Sequence, residues 1–315
     1  MRRALQKLPP TLEDRYADPL TNIAYGHRSL ARQALFWLTF AKRPLRLEEL
    51  NEAVIVQDNQ AAIDEEDRLC HSGLILEICR GLIDHHSGFI TLAHSSVAKF
   101  LVTPDIVSRK TAYFVLRSGE GDRDLMHMCL RYLSMECFTS GPCRTVDELA
   151  LRLQSYPLLS YAATCWATHA NGLEFDQFDV DSIMKFLQTH HLSRGGNYGS
   201  WIQILLPETA LWDAEGLRDI HPLYYAASFG LVKIVSLILE SDRELDIDTR
   251  GGRFRSTPLF VACWRGYYDL ARVLISAGAN PKIVDKGCKL DVFGLLRSRR
   301  SINSNASELL EHISG

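Results

Sequence analysis

The chain has 315 residues, 46% of them hydrophobic and 23% charged, with a formal net charge of −3. That length allows two or three domains, and the composition is that of a folded globular protein rather than a disordered one. The slight acidic balance excludes a general polyanion binder, which carries a basic excess.

The N-terminus, MRRALQKLPP, has positive charges but no apolar run behind them, so no signal peptide is expected. Residues 1–27 are expected to form a linker remnant. The stretch HRSLARQALFWLTFAKRPLRLEELNEAV (27–54) predicts two helices. Leu30, Ala34, Trp37, Leu38 and Ala41 share a face of the first. Arg43-Pro44 breaks the chain, and Leu47, Leu50 and Val54 point inward from the second. After an acidic linker, DEEDR (64–68), the segment HSGLILEICRGLI predicts a third helix with Leu74, Ile75, Ile78 and Leu82 as its buried stripe. DHHSGFITLAHSSVAKFLVT then predicts strand, a turn at Ser87-Gly88, strand and helix, with Ser95 or Ser96 as the helix cap. Three helices followed by a hairpin have the plan of a winged helix, placed at 28–104. A helical connector follows at 105–215. Within it, no Asp, Glu, Lys or Arg occurs between Leu153 and Leu173, but Gln154, Pro157, His169 and Asn171 make that stretch a buried helix rather than a membrane span.

The tail, 216–315, carries an internal repeat. In STPLFVACWRGYYDLARVLISAGANP (256–281), Thr257-Pro258-Leu259 supplies a turn and helix start, Ala262 a small contact face, and Gly266 a helix stop. Leu270, Val273 and Leu274 mark a second helix, closed by Gly278. In HPLYYAASFGLVKIVSLILES (221–241), Pro222, Leu223, Ala226, Gly230, Ile234, Leu237 and Ile238 fall at the matching places, 36 residues earlier in every case. The pattern T-P-L-x-x-A-x-x-x-G…G-A-N resembles the ankyrin repeat. The units are placed at about 221–253 and 257–284, with 285–315 as a degenerate cap that keeps two helical patterns but lacks the turn signature. Two units and a cap are marginal alone, so the first is expected to pack against the helical region before it.

The segments ARQALFWLTFAKRPLRLEELNEAV, GLILEICRGLI, ITLAHSSVAKFL and YPLLSYAATCWATHA (156–170) resemble the GPI-inositol-deacylase-type winged-helix region that follows the NACHT domain in fungal STAND proteins. In the last of them Leu158, Ala162, Cys165, Trp166 and His169 lie along one helical face. The resemblance covers roughly 10–205, and ankyrin repeats follow in the order this family uses. It implies a mainly α chain: winged-helix domain, helical connector and short C-terminal ankyrin-repeat stack. A NACHT domain needs the phosphate loop GxxxxGK[ST], yet the sequence contains no Gly-Lys dipeptide. A NACHT/STAND-type protein without its motor domain is therefore expected, as a natural short form or an incomplete gene model.

Chemistry is sparse. There is no GxSxG and no HExxH. The adjacent His94, Ser95 and Ser96 read as a helix start, and His85-His86 and His190-His191 as turn or surface pairs. The spacing of Cys70, His71 and Cys79 matches no standard zinc arrangement. The eight scattered cysteines read as reduced thiols of cytosol or nucleus. No catalytic residue, cofactor, metal or small-molecule substrate is expected, and no membrane partner. Nucleic acid is disfavoured, because the helix that would read a groove offers only Arg80 beside Glu77. The basic cluster Arg297, Arg299 and Arg300 reads as a solvated loop or a weak nuclear-import signal.

The resemblance to ankyrin repeats implies another protein as partner, bound by hairpin tips and the inner helix face. Those positions are Ser228, Phe229, Arg253, Phe254, Ser256, Trp264 and Arg265, and Trp and Arg are the types most enriched at hot spots. Packing of Trp264 on its own neighbours is the competing reading. The expected function is a non-enzymatic interaction or regulatory protein, cytoplasmic or nuclear. A nuclear transcriptional coregulator and a STAND signalling NTPase seen in part remain open alternatives.

Overall fold

The structure is a computed structural model that describes residues 12–56, 62, 63, 66, 68–103, 111–117, 119–206, 221–242, 244–299 and 304–314. The described residues form sixteen α-helices and one small sheet. They divide into two compact units, one of Met1–Tyr132 with Arg152–His169 and the other of Leu133–Leu151 with Ala170–Gly315.

The first unit holds α1 (Leu12–Thr21), α2 (Arg28–Phe40), β1 (Leu45–Arg46), α3 (Leu47–Ala53), α4 (Leu74–Ile78), β2 (Ile83–His86), β3 (Phe89–Leu92) and α5 (Ser95–Val102). Of three later helices, α6 (Gly121–Leu133) and α8 (Leu159–Ala170) contribute most of their length to it and α7 (Val146–Ser155) its last turn. The strands are antiparallel in the order β1-β3-β2. The β2–β3 hairpin turns at Ser87 and Gly88, both at positive φ, as the sequence predicts. Register Leu45↔Ile90 sets both side chains inward at 0% exposure, and a one-residue slip would turn them to water.

Several sequence expectations need correction. The two-residue strand β1 is too short to show a period. The third helix is five residues long, and its stripe reduces to Ile75, with Cys79 and Leu82 buried just beyond and Leu74 and Ile78 half-buried. On α2 the core face is Ala31, Ala34, Leu35, Phe36 and Trp37, while Leu30, Leu38 and Ala41 are half-buried. On α3, Leu50 points inward as expected, but Leu47 and Val54 are half-covered and two glutamates take the interior. Asp64, Glu65 and Asp67 of the acidic linker lie outside the described residues.

Each buried glutamate has a defined set of donors. Glu49 accepts both guanidinium N–H groups of Arg43, at 2.6 and 2.8 Å, and the backbone N–H of Arg46 at 2.8 Å. It thereby supplies the glutamate half of a capping box at the start of α3, the Arg46 side chain having no acceptor to return. Glu52 accepts from the Tyr132 hydroxyl at 2.7 Å and from the backbone N–H of Leu158, just ahead of α8, at 2.8 Å. Burial pushes the Glu52 carboxyl above its usual range, against the pull of those donors. Along α8 the expected face is the observed one, with Leu158, Ala162, Cys165, Trp166 and His169 all buried.

The second unit holds α9 (Gln177–Gln188), α10 (Gly196–Leu205), α11 (Pro222–Ser228), α12 (Val232–Ser241), α13 (Pro258–Arg265), α14 (Tyr268–Ser276), α15 (Val292–Arg299) and α16 (Ser304–Ser314). Polar side chains of α10 pin the loop before α7. Asn197 donates to the carbonyls of Leu133 and Met135, both at 2.9 Å, and Ser200 donates to Phe138 at 2.8 Å. Gln203 brackets the Cys143 backbone, accepting at 2.7 Å and donating at 2.9 Å. The other side of α10 meets the first repeat through rings. Trp201 lies 5.3 Å from Tyr225 and 6.0 Å from Phe229, edge-on and tilted respectively. The first repeat therefore does stack on the helix before it.

The 36-residue echo recurs in the backbone turns and caps. α11 and α13 both begin with Pro at N1, capped by His221 Nδ1 accepting from Leu223 and by Thr257 Oγ1 accepting from Phe260. The imidazole thus does the work of the missing threonine. A glycine at positive φ follows each helix, directly after α13 and one residue beyond Phe229 after α11, and in both the next residue's N–H bonds the alanine five back: Leu231 to Ala226 at 3.0 Å, Tyr267 to Ala262 at 2.9 Å. The inward side chains of the second helices are Ile234, Val235 and Ile238, matched by Leu270, Ala271 and Leu274. Leu237 and Val273, expected inward, are half-buried in both units. α15 and α16 supply a third pair of helices, with Val292, Leu295 and Leu309 at 0–1% exposure.

Candidate partner-binding surface

Seven positions carry the expectation of partner contact, and the structure sorts them. Ser228 is 7% exposed within α11, and Ser256 is 6% exposed with its hydroxyl bonded to the Asp285 carboxylate. Phe229 is half-covered by the Trp201 and Tyr225 rings. These three serve the stack itself. Residues at turn ends read as surface from sequence, but here the neighbouring repeat covers them.

Arg253, Phe254, Trp264 and Arg265 are exposed, Phe254 by 58% and Trp264 by 48%. They fall in two places. Trp264 and Arg265 end α13, whose preceding residues from Pro258 to Cys263 are all buried. One part of the indole is used internally: it stacks on Phe260 at 6.3 Å and lies under the Arg299 guanidinium at 5.1 Å. Arg299 also donates to the carbonyls of Trp264 at 2.6 Å and Cys263 at 3.3 Å. Both are helix-end acceptors, that of Cys263 shared with the Gly266 N–H at 3.2 Å, so Arg299 caps α13 and meets the negative end of its dipole. It is thus structural, and Arg300 lies outside the described residues. The rest of the indole faces water.

Arg253 and Phe254 sit on the hairpin tip between repeats, closed by Gly251 and Ser256 exchanging N–H···O bonds at 3.0 Å in both directions. A second tip follows 34 residues later, closed by Asp285 donating to Leu290 at 2.9 Å.

Two arrangements of histidine and hydroxyl invite a catalytic reading. His94 Nδ1 lies 2.6 Å from Ser96 Oγ, which is 2.6 Å from the Tyr16 hydroxyl. The same Nδ1 accepts the Ser96 N–H at 3.1 Å, so its lone pair is engaged in capping α5. The cap is His94, not Ser95 or Ser96. The second arrangement runs from the Lys42 N–H to the Tyr161 hydroxyl at 3.0 Å, on to His169 Nε2 at 2.9 Å, and from His169 Nδ1 to Asp122 at 2.7 Å. Burial lowers the His169 pKa despite Asp122 beside it. Burial alone would raise the Asp122 carboxyl, but Lys42 and His169 hold it below its usual range. Tyr161 and His169 are both 0% exposed, so this relay meets solvent only at its Asp122 and Lys42 end. Its geometry fixes α8 in place.

All eight cysteines are free; Cys79 is buried and its thiol is pushed up to about 12, while Cys70 is exposed, so the two do not share a site. No group of three or more His, Cys, Asp or Glu among the described residues is placed to hold a metal ion. A groove of about 600 Å³ in the first unit is lined by Arg43, Arg46, Glu49, Phe89, Leu153 and Pro157. Its cations are already engaged, Arg43 with Glu49 and Arg46 over the Phe89 ring at 5.3 Å. No described helix is long and apolar enough to cross a membrane.

Residues 189–285 match the family model described as ankyrin repeats (3 copies). Residues 19–114 match the one described as GPI inositol-deacylase, winged helix domain. The ankyrin match starts at Thr189, earlier than the sequence reading placed it, and so takes in α10. A curated relative, the azaphilone pigments biosynthesis cluster protein L of Monascus ruber, is 26% identical over 303 residues. The alignment covers 88% of this chain and 61% of that protein, so the chain spans about three-fifths of the relative's length. No solved structure matches. The chain thus carries a GPI-inositol-deacylase-like winged-helix domain followed by ankyrin repeats.

Proposed function

We propose that this chain is a non-enzymatic interaction protein with a regulatory role, whose ankyrin repeats dock another protein. The observation that carries this reading is the half-open Trp264 beside the exposed Arg265, at the end of a helix otherwise buried. An indole held by Phe260 and Arg299 yet half in water is a preorganised anchor, costing little entropy to immobilise. The winged helix supports the same reading. Its α4 is five residues long and presents Glu77 outward, which suits packing better than groove reading. In this view it is a rigid base of the kind found in NACHT/STAND-type proteins. The name of the Monascus ruber relative ties that protein to a pigment biosynthesis cluster, which supports a fungal setting for this chain as well.

The test is quantitative affinity capture from the native cells with wild type and the double variant Trp264→Ala, Arg265→Glu. The variant is expected to lose its partner by about tenfold or more, since a hot-spot indole is worth about 2 kcal/mol or more, while hydrogen exchange across α11–α14 stays unchanged. Equal capture by both proteins would place docking elsewhere and refute the reading.

A further inference from the structure

Charge is distributed very unevenly. Residues 250–300 contain eleven Lys and Arg but three Asp and Glu, a local net of +8 in a chain of −3. The two hairpin tips concentrate it: Arg253, Arg255, Lys286 and Lys289 are all exposed. Among the described residues no carboxylate lies within ion-pair distance of Arg255, Lys286 or Lys289. Of the acids nearest in sequence, Asp285 is buried, its oxygens taken by the Ser256 hydroxyl and the N–H groups of Gly287 at 2.9 Å and Cys288 at 2.8 Å, and Asp291 is half-buried and accepts the Gly294 N–H at 2.7 Å. They offset two of the positive charges and leave the tips cationic.

The tips are one surface. Arg250 donates to the Arg255 carbonyl at 2.9 Å and reaches the Val284 carbonyl at 3.5 Å, joining the base of one to the start of the other. The Phe254 ring lies so close over Gly287 that a Cβ there would sit 2.7 Å from it. Apolar side chains are interleaved with the cations: Phe254 is 58% exposed, Val284 51% and Leu290 36%. Arg255 and Lys289 hold equivalent places in the two hairpins and share a positive φ of 48° and 61°, so both tips present a cation from the same backbone geometry.

Resting on the docking function proposed above, we propose that the paired tips, 252–255 and 286–290, bind an acidic protein segment that carries apolar side chains. The cations attract the carboxylates, and Phe254, Val284 and Leu290 give the apolar side chains a place to lose water. A nucleic acid fits less well. Exposed aliphatic groups offer little to phosphates, and outside 250–300 the chain has an excess of eleven acidic residues that repels a long polyanion. A short segment confined to the tips stays within about one Debye length, ~10 Å, of the cations.

The experiment is fluorescence anisotropy of the full chain with a fluorescein-labelled peptide alternating paired acidic residues with leucine. Saturable binding is expected. It should weaken about tenfold in the exposed-site variant Lys286→Glu, Lys289→Glu and about threefold in Phe254→Ala, and about tenfold on raising salt from ~50 to ~300 mM. The peptide with glutamine for each acid should bind about tenfold more weakly. The milder pair Lys286→Ala, Lys289→Ala should give an intermediate loss. Binding that ignores these substitutions, or a labelled single-stranded oligonucleotide that binds more tightly than the peptide, overturns the proposal. The variant Trp264→Ala, Arg265→Glu separates the two claims. If it loses native partner capture while the lysine variants do not, the inference about the tips fails and docking through the repeats stands. If neither loses capture, the docking reading fails.

Discussion

Gly230 and Gly266 occupy the same place in successive repeats, at φ 74° and 84° respectively, so an alanine at either meets the same backbone cost. For a residue with a Cβ that cost is about 1–2 kcal/mol, partly offset because alanine also restricts the unfolded chain by about 0.4–1 kcal/mol. The space around the two differs. Nothing lies within 4 Å of a Cβ built on Gly266, whereas one on Gly230 would meet the Tyr267 ring at 2.8 Å. Tyr267 sits in the tight turn between α13 and α14, its N–H bonded to Ala262, so it cannot step aside without disturbing the second repeat. Overpacking of this kind adds about 1–3 kcal/mol. Gly266→Ala should therefore cost about 1 kcal/mol and Gly230→Ala about 2–4 kcal/mol. Gly266→Val should exceed its alanine counterpart, because a β-branched residue tolerates positive φ least. Native-state hydrogen exchange over 222–241 and 258–276 reads these losses locally, without assuming that the whole chain unfolds in one step. Equal costs at the two glycines, or none at either, would refute the stacked-repeat packing.

Glu49→Ala removes the acceptor for the Arg46 N–H at the start of α3 and leaves Arg43 without its bidentate partner, an expected loss of about 2–3 kcal/mol by chemical denaturation. Tyr132→Phe deletes a donor to the buried Glu52 carboxylate and should cost about 1.5–3 kcal/mol; a neutral result would mean that the carboxylate is not held there. The repeats should also weaken in acid. Burial, with His190 nearby, lowers the His221 pKa to about 4, below its value of about 6.5 in the unfolded chain. The unfolded chain then binds the extra proton first, so stability is full above pH ~6.5 and falls as pH drops toward 4, by up to about 3 kcal/mol before solvent screening trims it. His221→Asn keeps a capping side chain and should flatten that dependence in hydrogen exchange over α11 measured between pH 7 and 5.

The repeat was legible because its turns demand particular residues at fixed places: Pro at N1, alanine where helices meet, glycine at the stop. The winged-helix plan was legible from helical spacing and from Ser87-Gly88. What escaped had distant causes. LRLEELNEAV reads as a helix with solvated glutamates, yet Glu52 is buried because Tyr132 and the Leu158 N–H, 80 and 106 residues away, converge on it. Ser228 and Ser256 carry no mark of burial; the stack above them and Asp285 supply it. The hairpin tips were visible only in part. Arg253 and Phe254 could be picked out by residue type, but Lys286 and Lys289 matter because a second hairpin brings them beside Phe254, in a segment whose turn signature had decayed.

Photo-crosslinking in the native cells tests the central claim most directly. A benzophenone-bearing residue placed at Trp264 or Phe254 should give an adduct with one protein partner, while the same group at Ser276, exposed at the end of α14, should give none. Adducts formed equally from all three positions, or from Ser276 alone, would contradict docking through this surface.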